Sequence, residues 1–377
     1  MHSRQTDIET LDTIGRAWPP AADLVANSGV MERTEALYDK VRDVIPEAEW
    51  PLHAPLVDAI NRLKRERGAI ILAHNYMTPE IFHCVGDVTG DSLKLAQVAA
   101  EAEEDVIVQA GVHFMAETAK ILSPEKTVLI PDLEAGCSLA ESITGEDVRA
   151  IRRAYPDYPI VTYVNTTAEV KAECDICCTS SNAVGVVEAI ARQRDTDTVI
   201  MIPDQFLAHN VASQTDVRIL TWNGECEVHE KFTREEIMQL RAEHPDAMII
   251  THPECPPEVL RVSDYSGSTG AMAAYVAEHR PAKAILITEC SMSDNVAALN
   301  PGTRFIRPCN LCPHMKRITL EGIYNALREM KHEIEVDAET ARRARRSLRA
   351  MLELPSDGRP PAFDIARPEK PATFVAV

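Results

Sequence analysis

No apolar run in the 377 residues approaches the roughly 18 to 20 needed to span a bilayer. The opening stretch MHSRQTDIETLDTIGRAWPP has no continuous apolar segment of the kind a secretory leader carries. These two absences predict a cytoplasmic chain with no membrane partner. Positive charge is also in short supply: 39 Lys and Arg face 58 Asp and Glu, a formal net charge of -19. Sequence-independent nucleic-acid binding needs clustered Lys and Arg against phosphate, so no nucleic-acid partner is expected. Nor is there a zinc ribbon, whose two C-x2-C pairs lie some 15 to 20 residues apart. Cys174 and Cys177 are separated from Cys309 and Cys312 by more than a hundred residues. In a reducing compartment the ten cysteines are expected as ligands, catalytic groups or inert core thiols rather than disulfides.

With 45% hydrophobic residues the chain can bury a core of two or three domains. Nine short Val- and Ile-rich runs, at 69–73, 106–110, 127–130, 159–164, 198–202, 218–221, 247–251, 284–288 and 303–306, alternate with helical stretches. Apolar strands without strict alternation, separated by helices, predict parallel sheets covered on both faces. They fall into three groups of three. His74 and Tyr76 follow the first strand of the first group; Tyr163 and Asn165, then His252 and Glu254, recur at steps of 89 residues. Ser92, Ser180 and Ser268 recur at steps of 88, and Cys137, Cys226 and Cys312 at 89 and 86. A constant offset marks an internal repeat, and all these positions lie beyond carboxyl ends of strands, where open parallel sheets bind ligands.

Three such units about a pseudo-threefold axis would aim three cysteines, three hydroxyls and three polar pairs at one cavity. Residues i and i+2 of a strand share a face, and Glu254, Tyr76 and the histidines are general acid and base types. Serines at helix starts cap helices, yet three helix N-termini also suit a substrate with carboxylates or a phosphate. Three thiolates leave one metal position open, as in a catalytic zinc site or a [4Fe–4S] cluster on three cysteines. Spacing does not choose between these two. Cys84, Cys255 and Cys290 are expected as inert thiols and Phe114 and Met115 as helix core, with a reach of His113 into the cavity the lesser of its two readings. Cys174, Cys177 and Cys178 precede the Ser180 loop, with no role assigned.

The segments AHNY, GDSLKLA, GVHFMAETAKILSP, PDLEAGCSLA, TYVNTTAEVKA, CTSSNA, GECEVHEKF, HPECPPEV, GSTGAM and CPHMKRITLE together resemble the quinolinate synthase family, from about Gly68 to Ile323. The resemblance implies an α/β fold of three pseudo-threefold-related αβα domains with short parallel sheets, arranged as a triangle around a central active-site cavity. On that basis the repeats span 55–144, 145–232 and 233–323, between an N-terminal extension (1–54) and C-terminal helices and tail (324–377). It further implies a cytoplasmic transferase of NAD biosynthesis that condenses iminoaspartate with dihydroxyacetone phosphate to give quinolinate, phosphate and water. Its [4Fe–4S] cluster would be held by Cys137, Cys226 and Cys312, with the open iron as Lewis acid. Catalytic residues would be Tyr76, Glu254, His252 and His74. Substrate contacts would be His74, Ser92, Tyr163, Asn165, Ser180, His252, Glu254, Ser268 and Thr269. The enzyme that makes iminoaspartate from aspartate would be a functional partner.

Two other readings are available from the residues. An aconitase-like hydro-lyase would share the open iron but need no phosphate site. A zinc-stabilised binding protein would use Cys174, Cys177, Cys309 and Cys312. The basic stretch AETARRARRSLRAMLELP is expected as a solvated surface helix before a Pro-rich tail. A Cys309–Cys312 pairing would be damage in cluster-free protein.

Overall fold

The computed structural model describes residues 18–354, 363, 367 and 370–375. The stretch read for a leader, apart from its last three residues, and most of the Pro-rich tail lie outside them. Four strands form the first sheet: β1 Ala69–His74, β2 Val88–Gly90, β3 Val106–Ala110 and β4 Thr127–Leu129. The second holds β5 Ile160–Tyr163, β6 Ile176–Cys178, β7 Thr198–Ile202 and β8 Arg218–Thr221. In the third are β9 Met248–Thr251, β10 Tyr265–Ser266, β11 Lys283–Ile287 and β12 Arg304–Ile306. Strand orders are β2-β1-β3-β4, β6-β5-β7-β8 and β10-β9-β11-β12, with β13 (Thr373–Phe374) added beside β8. All ladders are parallel, as helical crossovers between successive strands require.

The nine expected strands all form, within a residue of their ends. Besides β13, each sheet has one strand that the apolar runs did not signal: β2, β6 and β10. They are two or three residues long and read VTG, ICC and YS, without a Val/Ile run to detect.

A repeated polar clamp explains why these short strands sit at the edge. Asp87, Asp175 and Asp264 accept the backbone N–H of Ile71, Ile160 and Ile249 at 2.9, 2.9 and 2.8 Å. Lys64, Arg152 and Arg241 from the preceding helices pair with these same carboxylates at 2.6, 2.9 and 3.0 Å. Each cation also donates to a carbonyl, of Val85, Glu173 or Val262. Every unit thus ties helix, first strand and edge-strand turn together with one ion pair that is hydrogen-bonded on both sides.

The basic helix Ala338–Leu352 is not a solvated surface helix. Ala341, Ala344, Leu348 and Met351 are buried, and the helix packs on the helix Ala168–Glu173, on β6 and on the helix His113–Leu122. Its arginines are used locally: Arg343 pairs with Glu173 at 2.6 Å and Arg345 donates to the Ile121 carbonyl at 2.6 Å. Burial of its Leu and Met is worth about 1.5–3 kcal/mol each.

Candidate functional site

Strand ends and helix starts from all three sheets line one cavity. His74 ends β1, Tyr163 ends β5 and His252 directly follows β9. With Tyr76, Asn165 and Glu254 two residues on, all six line the cavity, as do Ser92, Ser180 and Thr269. The three serines are not equivalent at their helices. Ser268 is the N-cap of Thr269–His279 and is fully buried behind the wall. Asp91 caps the helix that Ser92 begins, and Ser180 precedes the cap Asn182, so the Ser92 and Ser180 hydroxyls are left to the cavity.

The two strand-end histidines carry defined protons. His74 Nδ1 accepts from the Tyr76 backbone N–H at 3.2 Å, and His252 Nδ1 from the Glu254 N–H at 3.3 Å. Burial pushes His74 down to about 4 and His252 to about 3. Both are therefore neutral at pH 7 with hydrogen on Nε2, which makes them donors; His252 Nε2 lies 3.5 Å from Ser180 Oγ.

A connected acid–base chain crosses the site. Tyr163 donates its hydroxyl to Glu254 Oε1, and His229 Nδ1 lies 2.8 Å from Glu254 Oε2. On its other side His229 Nε2 is 2.9 Å from Thr288 Oγ1, which is 2.6 Å from the Tyr76 hydroxyl. His252 stacks on His229 at 4.7 Å. Burial alone would raise the Glu254 carboxyl; His252 and His229, with the hydrogen bonds from His229 and Tyr163, overcome it and hold the carboxyl well below the usual range. Burial, reinforced by the Glu254 charge, keeps the Tyr76 and Tyr163 phenols protonated. From Glu254 to Tyr76 the chain thus leads from a carboxylate to a phenol.

Cys137, Cys226 and Cys312 reach the same cavity from the last loop of each sheet. Each starts a helical turn: their carbonyls accept from Glu141, Glu230 and Lys316 N–H at 3.0, 3.0 and 3.1 Å. All three are free thiols, and burial pushes Cys137 up to about 12, Cys312 to about 11 and Cys226 well above the ordinary range. A ligand that needs thiolates must displace these protons. Cys226, His229 and Glu254 also place one donor atom each within 4.8 Å of one another. Partly buried free cysteines and this group fit a metal cofactor.

Three functional positions escaped sequence reasoning. His229 stands in a C-x2-H spacing with Cys226, a weaker signal than the two C-x2-C pairs. Thr288 and Asp91 have no local signature; Asp91 Oδ2 accepts from Ser181 Oγ at 2.7 Å and Ser268 Oγ at 3.4 Å, joining helix starts of all three units. Several expectations are corrected. Phe114 and Met115 are buried in the core as expected, Phe114 lining the cavity besides, and the lining does not include His113. Cys290 is not an inert thiol, and Cys309 pairs with it, Cα–Cα 5.0 Å, rather than with Cys312. Cys177 is buried against Ser347 at 3.4 Å and Cys174 against the Val170 carbonyl at 3.1 Å. With Cys309 bonded to Cys290, the four-cysteine zinc site of the binding-protein reading does not form.

Comparison with known proteins bears on this geometry. The family model described as quinolinate synthetase A protein matches residues 58–353. A quinolinate synthase of Caulobacter vibrioides is 58% identical over 335 residues, covering 89% of this chain and 91% of that one. The chain belongs to the quinolinate synthase family. Quinolinate synthase 2 of Mesorhizobium japonicum is 60% identical over 84% of this chain and 96% of its own length, and the quinolinate synthase of Xylella fastidiosa 60% over 78% and 86%. Membership makes the chain an enzyme and supports a role in NAD biosynthesis. No helix among the described residues is long and apolar enough to cross a membrane.

Proposed function

We propose that the three sheets belong to αβα domains 55–144, 145–232 and 233–323 arranged as a triangle about the cavity. In this reading the enzyme is a cytoplasmic quinolinate synthase. It joins iminoaspartate to dihydroxyacetone phosphate, releasing one phosphate and two waters, and depends on the enzyme that supplies the imine. The observation that carries the reading is the meeting of three free thiols, one per sheet, beside a carboxylate-to-phenol chain in one cavity.

Cys137, Cys226 and Cys312 would hold a [4Fe–4S] cluster, whose open iron supplies Lewis acidity toward a substrate oxygen. The protein's residues do the rest. Glu254, ionised, takes a carbon- or nitrogen-bound proton. Tyr76 donates one to a departing hydroxyl, and is resupplied from Glu254 through His229 and Thr288. His74 and His252 direct Nε2–H at substrate oxygens. Ser92, Ser180, Thr269 and Asn165 bind carboxylate or phosphate oxygens, with Ser268 positioning Thr269 as its helix cap. Asn165 Oδ1 is buried with no hydrogen-bond partner; as an acceptor it would be satisfied by an O–H or N–H of the ligand, while its amide N–H groups face the anionic oxygens. Thr269 is aimed by Asn75 Nδ2 at 2.8 Å.

Iron and acid-labile sulfide, measured on anaerobically purified wild type and on Cys137→Ala, Cys226→Ala and Cys312→Ala, test the reading. About four of each in the wild type, lost in each variant, is expected. Full cluster content in any variant would overturn the ligand assignment. Turnover without dihydroxyacetone phosphate would favour the hydro-lyase instead.

A further inference from the structure

Cys226 and His229 stand three apart on the turn that Glu230 N–H closes to the Cys226 carbonyl, which sets both side chains on one side. Cys226 Sγ is 3.2 Å from His229 Nδ1, and Nδ1 is 2.8 Å from Glu254 Oε2. A thiolate, an imidazole and a carboxylate around one point form a zinc donor set with the fourth position open. Around a tetrahedral Zn2+ such donors stand about 3.4 to 3.6 Å apart, given the usual bond lengths. The two edges that meet at His229 Nδ1 therefore open by roughly 0.4 to 0.6 Å around an ion, and all three donors already lie within 4.8 Å of one another.

The outer partners separate this group from a chance meeting of donors. His229 Nε2 faces Thr288 Oγ1 at 2.9 Å, and Tyr163 donates to Glu254 Oε1, the oxygen turned away from His229. Metal-bound imidazoles and carboxylates are held in this way, the far ring nitrogen and the spare oxygen each fixed by a hydrogen bond. His229 is 1% and Glu254 3% exposed, so the donors are already desolvated.

We infer that Cys226, His229 and Glu254 form a mononuclear site for a borderline divalent cation, Zn2+ foremost, which cannot be filled while Cys226 serves a cluster. Binding releases the Cys226 proton, and the Nδ1 hydrogen of His229 moves to Nε2, where Thr288 accepts it. The ion then occupies both the thiol and the acid–base pair, so zinc-loaded protein is inactive and closed to cluster assembly. The exclusivity rests on the cluster reading above; the zinc site does not.

The test uses the full chain, stripped of iron anaerobically and titrated with Zn2+, and with Co2+ as an optical probe of thiolate number. One zinc per chain is expected, with a sulfur-to-cobalt charge-transfer band of single-thiolate intensity. Loss of an outer partner costs about 10- to 100-fold in metal affinity. Thr288→Val should therefore weaken zinc about 10-fold, and His229→Gln and Glu254→Gln by about 100-fold or more. Cys312→Ser should bind zinc as the wild type does. Absence of zinc binding, a three-thiolate cobalt spectrum, or loss of zinc in Cys312→Ser would overturn the site, as would undiminished binding in His229→Gln. The cobalt spectrum of the wild type decides the matter even where a variant fails to fold. Zinc at these residues in a protein that never takes up iron and sulfide would uphold the site and remove the cluster reading.

Discussion

Replacing Thr288 by valine removes one hydroxyl and almost no volume, from a residue behind the cavity wall rather than in it. That hydroxyl links the Tyr76 phenol at 2.6 Å to His229 Nε2 at 2.9 Å. Without it the two groups have only each other, at 3.4 Å. Leaving a buried polar group poorly satisfied costs about 1–3 kcal/mol of stability, which a large core tolerates. The catalytic effect is larger in relative terms. Positioned acid–base transfer is worth about 10²- to 10⁴-fold, and the surviving 3.4 Å contact retains part of it. A fall in kcat of about 100-fold is therefore expected, with KM within about twofold because no substrate contact is lost. Steady-state quinolinate formation by cluster-loaded enzyme, with imine generated in the assay, measures both. Thr288→Ser keeps the hydroxyl and should recover most of the rate. Thr288→Val above half the wild-type kcat, or Thr288→Ser as slow as Thr288→Val, would refute a relay through this residue.

Acid should destabilise the fold through the strand-end histidines. Burial holds His74 at about 4 and His252 at about 3, so between those values and the ordinary 6.5 the unfolded chain binds more protons than the folded one. Stability is complete above about pH 6.5 and falls with acidification through the folded values, by up to about 1.4 kcal/mol per pH unit for each histidine. Urea midpoints at pH 7 and pH 5 should differ less in His252→Gln than in the wild type, and an unchanged difference would refute the assignment. Asp91 Oδ1 caps its helix through Lys94 N–H at 3.0 Å. Asp91→Ala should lose about 0.5–2 kcal/mol of stability while Asp91→Asn keeps the cap; equal losses by thermal melting would place the effect in the Ser181 contact instead.

The strands were legible because a sheet covered on both faces demands uninterrupted Val and Ile, and nine such runs stand out. Edge strands β2, β6 and β10 make a shorter ladder on one side only, so VTG, ICC and YS suffice and leave no pattern to read. The helix Ala338–Leu352 looks solvated in sequence for a related reason. Seven of its first twelve residues are Glu, Arg or Thr, yet arginine stems cover apolar surface and their heads reach carbonyls and carboxylates of neighbouring helices. The Cys290–Cys309 pairing depends on a loop meeting a helix start, where Cys290 N–H donates to the Asn310 carbonyl at 3.2 Å. Spacing along the chain carries no trace of that.

What the repeat could reveal, and what it could not, follows from the chemistry. A constant offset finds residues that all three units keep: the clamp of Asp87, Asp175 and Asp264, and the cysteines. Such residues build a frame, and a symmetric frame is suited to a group with threefold character. Joining the two substrates proposed above is an asymmetric task, and some of the residues that would perform it must break the repeat. Three residues after the cysteines stand Ala140, His229 and Met315; just beyond β3, β7 and β11 stand Gly111, Pro203 and Thr288. In the place of Asp91 the other units have Thr179 and Gly267. The outer members Tyr76, Tyr163 and Glu254 stand at repeated positions, but the middle of the acid–base chain runs through His229 and Thr288, where one unit alone has a polar side chain capable of the work. Periodicity in the sequence is blind to these by construction, and only the packing of the three units against one another brings His229, Thr288 and Tyr76 within hydrogen-bonding reach.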